Sequence, residues 1–146
     1  MEKPTFVMMV GLPGSGKSTL AKDIKDTYHG TIFSSDSIRE ELTGSEECMD
    51  QDKEVFQTLH RRIKEYLIEH QGADGCAIYD ACNISYKKRI AFLRELKKIL
   101  YGLHIKCVLN RTKRETELYR NMRLHECTKT FTYHSIMKVG TLLFLI

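Results

Sequence analysis

Gly11-Leu12-Pro13-Gly14-Ser15-Gly16-Lys17-Ser18-Thr19 fits the phosphate-cradling pattern G-x-x-x-x-G-K-[ST] without departure. Before it, Phe6-Val7-Met8-Met9-Val10 is a short apolar run with buried-strand character, and after it Lys17 to Tyr28 reads as a helix. Strand, glycine loop and helix together form the context this loop needs to take hold of a nucleoside triphosphate. Gly11, Gly14 and Gly16 allow consecutive backbone N–H groups to point inward with no Cβ in the way of a phosphate. Pro13, Ser15 and Thr19 complete the expected nucleotide-binding segment. The helix N-terminus adds unpaired amides and its positive dipole end. Lys17 is expected on the β- and γ-phosphates and the Ser18 hydroxyl on magnesium, so ATP and Mg2+ are the expected cofactors.

The remaining chain alternates. Thr31-Ile32-Phe33-Ser34 predicts a second strand, and Ser37-x-x-Glu40 predicts a capping box opening a helix that ends at Gly44. Between about Asp50 and Gln71, Val55, Phe56, Leu59, Ile63, Leu67 and Ile68 recur at helical spacing. Cys76 to Tyr79 is a third strand, and Ser85 caps a helix through Leu100 with Ile90, Leu93, Leu96 and Leu100 inward. His104 to Leu109 is a fourth strand, followed by a capping box at Thr112-x-x-Glu115, an arginine-rich helix toward His125, a short helix over Tyr133–Val139 and an apolar strand over Thr141–Leu145. Such alternation predicts an α/β fold of three layers, a parallel sheet with helices on both faces, and ligands at the carboxyl ends of the strands. The 146 residues make one domain.

Candidate chemistry follows the strands. Asp36, just past the second strand, is placed to accept a proton from an attacking hydroxyl, with helix capping as its alternative role. Arg39, one turn on, is placed to hold an anionic group of the acceptor. Asp80 ends the third strand as a Walker-B-type magnesium ligand, and Asn83 either orients the following loop or touches the acceptor. Arg111, Arg114, Arg120 and Arg123 follow the fourth strand; Arg120 and Arg123 share a helical face and are the expected catalytic arginines, with surface pairing to Glu115, Glu117 or Glu126 as the alternative.

Charge and composition bound the partners. Residues 1–79 carry 9 Lys and Arg against 14 Asp and Glu, while residues 80–146 carry 14 against 5. A basic second half suits a polyanion, with a solvated helix face around Lys87, Lys88, Lys97 and Lys98 as the plain alternative. Tyr79, Tyr86 and Tyr101 are too irregularly spaced to form a stacking platform by pattern. The odd count of five cysteines, without a C-x-x-C pair, argues against zinc. No run nears the roughly 20 apolar residues of a membrane span, and no leader pattern opens the chain, so no membrane partner and a cytoplasmic location are expected. Oligomeric state is not readable.

The series G-L-P-G-S-G-K-S-T, S-S-D-S-I-R-E-E-L and Y-D-A-C-N-I-S with Lys87-Lys88-Arg89, then the arginine-studded segment, resembles the compact P-loop kinases (AAA-type ATP-binding) related to the polynucleotide 5′-hydroxyl kinases. It covers about residues 5–126, and D-x-x-R after the second strand is its most specific part. The resemblance implies that Lys17 and Ser18 bind ATP and magnesium, Asp36 is the general base, Arg39 grips a phosphate of a nucleic-acid acceptor bearing a 5′-hydroxyl, and Arg120 or Arg123 comes from a lid at about 111–130. Two departures stand out. Cys82 replaces the threonine of D-A-T-N, and the chain reaches Ile146 without the proline turn and final strand and helix of relatives, a curtailed C-terminus. A small-molecule kinase for a sugar, nucleoside or antibiotic hydroxyl, and a nucleotide-binding ATPase module without transferase activity, are the alternative functions.

Overall fold

A computed structural model of the chain describes residues 3–45, 52–100, 103–110 and 141–145. In chain order the elements are β1 (Thr5–Val10), α1 (Lys17–Tyr28), β2 (Thr31–Ser34), α2 (Ser35–Thr43), α3 (Asp52–Glu69), β3 (Cys76–Asp80), α4 (Tyr86–Ile99), β4 (His104–Asn110) and β5 (Thr141–Leu145). The sheet order is β2-β3-β1-β4-β5. The first four strands are parallel, as alternation with helices dictates. β5 runs antiparallel to β4 at the edge, with Asn110 opposite Thr141.

Burial on both faces explains why β1 and β3 read as unbroken apolar runs. Side chains alternate along β1, so Phe6 and Met8 face one core and Val7 and Met9 the other. The first core takes Val55, Leu59, Ile63 and Leu67 of α3 with Phe92, Leu93 and Leu96 of α4. The second takes Ala21, with Leu20 and Ile24 beside it, from α1. Each fully buried residue of this size contributes roughly 1.5–3 kcal/mol of transfer free energy, which gives the periodic positions their force. Ile68, at the margin of the α3 stripe, is 49% exposed, and Ile90 of α4 is only partly buried.

The start of α2 differs from expectation. Its cap is Ser34, whose hydroxyl accepts from Ser37 N at 3.5 Å, and the helix begins at Ser35. Ser37 already lies inside the first turn, so the Ser37–Glu40 box is not the cap. Ser34, Ser35 and Ser37 offer alternative hydroxyls, and the helix's start directly after the strand's last residue, Ser34, selects the first. Gly44 closes the helix in the left-handed region (φ 74°), as the sequence predicts.

An aromatic cluster joins α3, α4 and β3. His60 stacks on Phe92 with ring centroids 3.9 Å apart, and its Nε2 lies 3.0 Å from the Tyr79 hydroxyl. Burial pushes the Tyr79 phenol up, so it is neutral and able to donate to an uncharged imidazole. Burial pushes the His60 ring down to about 4; Glu95 raises it and Lys64 lowers it by smaller amounts. As pH falls below the ordinary histidine value of 6.5, the unfolded chain takes up this proton and the folded chain does not until about pH 4. Stability therefore drops across that window. A His60→Gln variant is expected to show a smaller fall in urea midpoint between pH 7 and pH 4 than the parent; an equal fall would exclude His60 as the source.

Candidate phosphate-binding and acceptor site

The loop between β1 and α1 has the backbone that its glycines permit. Gly14 (φ 74°) and Gly16 (φ 85°) are both left-handed, and Gly16 is the residue from which α1 starts, with no side-chain cap. A Cβ at Gly14 would meet nothing within 4 Å, so the loop is open there. Uncapped amides at a helix N-terminus beside such an opening are suited to an anion. Lys17 is buried at the first position of α1, and its Nζ donates to Leu12 O at 2.6 Å, which folds the ammonium back over the loop. The Ser15 Oγ is buried without a hydrogen-bond partner, an orphaned polar atom inside the cradle.

Strand register gathers the other candidates at the same end of the sheet. Phe33 pairs with Tyr79, which pairs with Met8; one residue on, Ser34 pairs with Asp80. Gly11 N donates to Cys82 O at 3.0 Å, binding the start of the loop to the chain just after Asp80. Asn83 strengthens the same join: at φ 47° its Nδ2 donates to Met9 O at 2.9 Å. Arg89 then donates from Nη1 to Asn83 O and Ile84 O at 2.6 and 2.7 Å. Asn83 thus ties the loop to β1, and it also lines the cleft between α3 and α4.

Asp80 is 7% exposed, and its carboxylate pairs with no described cation. A carboxylate so buried without a counter-charge is costly, which suits a cation-binding position. No cluster of three or more His, Cys, Asp or Glu side chains that could hold a metal occurs among the described residues. Magnesium needs no such cage, because it keeps waters and phosphate oxygens and takes one or two protein ligands. Ser18, exposed in the first turn of α1, and Asp80 fit that requirement.

Asp36 and Arg39 share a face of α2, as their spacing predicts, and they bind each other. Arg39 Nη1 lies 2.8 Å from Asp36 Oδ1, and Arg39 Nη2 lies 3.0 Å from Asp52 Oδ1. Burial works against the guanidinium charge, yet the bonds to Asp52 and then Asp36 outweigh it and raise the Arg39 pKa. Asp36 is therefore engaged by Arg39. Ser35 Oγ also reaches Asp36 Oδ1, at 3.4 Å, so both contacts fall on one oxygen and Oδ2 is uncommitted among the described residues.

Beside this row opens a cleft of about 690 Å³ between α3 and α4. Phe56, His60, Tyr79 and Phe92 supply its aromatic wall, Asp52 and Lys53 one rim, and Asn83, Lys88 and Arg89 another. This aromatic wall is absent from the sequence reading because its members come from three elements and have no common period. Of the basic positions on α4, Lys87, Lys88, Lys97 and Lys98 are all exposed, and only Lys88 among these four reaches the cleft. Arg111, Arg114, Arg120, Arg123, the Thr112–Glu115 box and the Tyr133–Val139 helix lie outside the described residues.

Four parallel strands with helices on both faces, a glycine loop feeding a helix from the central strand, and a buried aspartate ending the neighbouring strand define a P-loop NTPase fold. The chain belongs to the AAA domain family, which it matches over residues 6–123. It is similar to a structure of the Pnkp1/Rnl/Hen1 complex at 19% identity and a TM-score of 0.60, covering 97% of this chain and 46% of that one. A structure of the Pnkp1/Rnl/Hen1 RNA repair complex matches at 20% identity and a TM-score of 0.59, covering 90% and 41%. A candidate kinase from Chloroflexus aurantiacus J-10-fl matches at 16% identity and a TM-score of 0.55, covering 68% and 55%. At these identities the likeness establishes the fold. The chain spans about half the length of these structures or less. No curated protein matches it. Among the described residues, no helix is long and apolar enough to cross a membrane.

Proposed function

We propose that this domain transfers the γ-phosphoryl group of ATP to a hydroxyl, with the 5′-hydroxyl of a polynucleotide as the acceptor. The observation that carries the reading is the row at the carboxyl end of the sheet: the phosphate loop, the buried Asp80 and the Asp36–Arg39 pair, held level by strand register. The acceptor oxygen bonds to the γ-phosphorus while the bond from that phosphorus to the β-bridging oxygen breaks, and ADP leaves. Asp36 Oδ2 takes the hydroxyl proton, and Arg39 holds an anionic group of the acceptor. Lys17 and the loop amides hold the β- and γ-phosphates through the displacement. Ser18 and Asp80 would hold magnesium, which would supply charge neutralisation on the phosphate oxygens. Arg120 and Arg123 supply lid donors to the transferred group.

The polynucleotide acceptor is supported by the aromatic and basic lining of the cleft, which combines the two elements that single strands use. The likeness in fold to a structure of an RNA repair complex agrees with it. The test is transfer of label from γ-labelled ATP to panels of 5′-hydroxyl oligonucleotides, nucleosides and sugars. Label on oligonucleotides is the expected result. Label on small alcohols alone would replace the acceptor, and free phosphate without transfer would make the domain an ATPase module.

A further inference from the structure

Arg39 does not line the cleft between α3 and α4, whereas Asp52 does. The Asp52 carboxylate stands at the cleft rim and bonds to Arg39 Nη2 at 3.0 Å, while the Arg39 side chain is only 7% exposed. A phosphate entering from the cleft therefore meets Asp52 before it reaches the guanidinium. We propose that Asp52 is a built-in stand-in for the acceptor's phosphate: it occupies the second nitrogen of the Arg39 fork and must be displaced before that fork grips an anion. The inference rests on the reading of Arg39 as the acceptor's anion grip and adds a residue that sets how tightly the grip closes.

The two carboxylates on Arg39 are not equivalent. Asp36 sits on the same helix one turn away, a local pair within α2. Asp52 comes from α3, thirteen residues further along the chain, and its side chain is 46% exposed, so it reaches the guanidinium across two elements. Exposure does not distinguish the two, Asp36 being 62% exposed, and each gains little from the pair because water solvates it nearly as well; Asp52 differs in being held across two elements rather than within one turn. Displacing Asp52 is made easier still by its place in the first turn of α3, where the helix dipole stabilises an anion without Arg39's help. A guanidinium buried among packed helices, by contrast, is poorly solvated and requires a partner at all times. Asp36 supplies one partner throughout, and exchange of Asp52 for the acceptor's phosphate keeps an anion on the second nitrogen as well. The same exchange loosens the phosphorylated product, since Asp52 returns to compete with it.

The test uses adenosine 3′-monophosphate and adenosine as probes, with binding measured by calorimetry in the absence of ATP. Asp52→Asn keeps the shape of the side chain and removes the competing charge. It is expected to bind adenosine 3′-monophosphate about fivefold more tightly than the parent, with adenosine unaltered. Asp52→Ser, also compatible with a helix N-terminus, is expected to show the same phosphate-specific gain, which guards against a failure to fold by one variant. In an Arg39→Gln background, Asp52→Asn is expected to give no gain. A weaker or unchanged affinity for adenosine 3′-monophosphate in both Asp52 variants would overturn the proposal, as would an equal gain for adenosine. Label transfer by the parent protein separates this outcome from the broader reading. Transfer to oligonucleotides with no phosphate-specific gain leaves the kinase reading standing and removes Asp52. The gain without any transfer retains Asp52 as the competitor and removes the kinase assignment. No binding of the 3′-monophosphate by any variant, together with no label transfer by the parent, removes both.

Discussion

Lys17→Ala is expected to slow γ-phosphoryl transfer by roughly a thousandfold or more and to weaken ATP binding by a smaller factor. A thousandfold corresponds to about 4 kcal/mol of transition-state stabilisation, a size reached by a preorganised charge in a partly desolvated cradle. Preorganisation is visible in the side chain itself. Lys17 is 7% exposed, and its ammonium is held against Leu12 O at 2.6 Å, so little side-chain freedom remains to be lost when a phosphate arrives. The loop amides and the N-terminus of α1 stay in place in the variant, which is why nucleotide binding declines less than transfer. Single-turnover transfer and nucleotide calorimetry on the two proteins measure the two effects. A rate within tenfold of the parent would mean that the ammonium does not sit on the transferring group.

The parts of this protein legible from sequence are those decided by near neighbours. The β1 run, the α3 stripe and the glycine loop each declare themselves within a few residues, because burial on one face or left-handed backbone leaves a local signature. The terminus of α2 at Gly44 was legible for the same reason. Its start was not, since Ser34, Ser35 and Ser37 are all capable of capping and the choice depends on where β2 stops pairing with β3. Spacing placed Asp36 and Arg39 on one helical face, while their bond to each other is a finding of the structure. Asp52 was missed because its contact with Arg39 is made by the packing of α3 on α2, which has no periodicity to read. The cleft wall was missed likewise: Phe56 and His60 look like one edge of a core stripe until Tyr79 and Phe92 arrive from β3 and α4. Nor does an apolar run such as Thr141–Leu145 state its direction, and β5 pairs antiparallel.

Asp36→Asn is expected to separate chemistry from binding where Lys17→Ala disturbs both. An amide has the size of the carboxylate, and its carbonyl oxygen still accepts from Arg39 Nη1, so the first turn of α2 and the α2–α3 contact remain. What disappears is an oxygen able to take a proton. Asp36 Oδ1 is engaged by Arg39 and Ser35, so the proton goes to Oδ2, the position an amide nitrogen fills in the variant. General-base catalysis contributes about 10²–10⁴ in rate, and a loss of that size is expected in transfer to any hydroxyl acceptor. ATP affinity is expected to stay within about threefold of the parent, because Asp36 belongs to the first turn of α2 rather than to the phosphate loop. Stability is expected to fall slightly, by the worth of one partly exposed ion pair, about 0.2–1 kcal/mol. Calorimetry with nucleotide and rapid-quench transfer on the same preparation report the first two quantities, and urea unfolding the third. Turnover equal to the parent would remove Asp36 from the base role and leave its pairing with Arg39 as its whole contribution. A parallel loss of ATP binding would instead place Asp36 among the residues that shape the phosphate cradle, an outcome the strand register argues against because β3 separates β2 from β1.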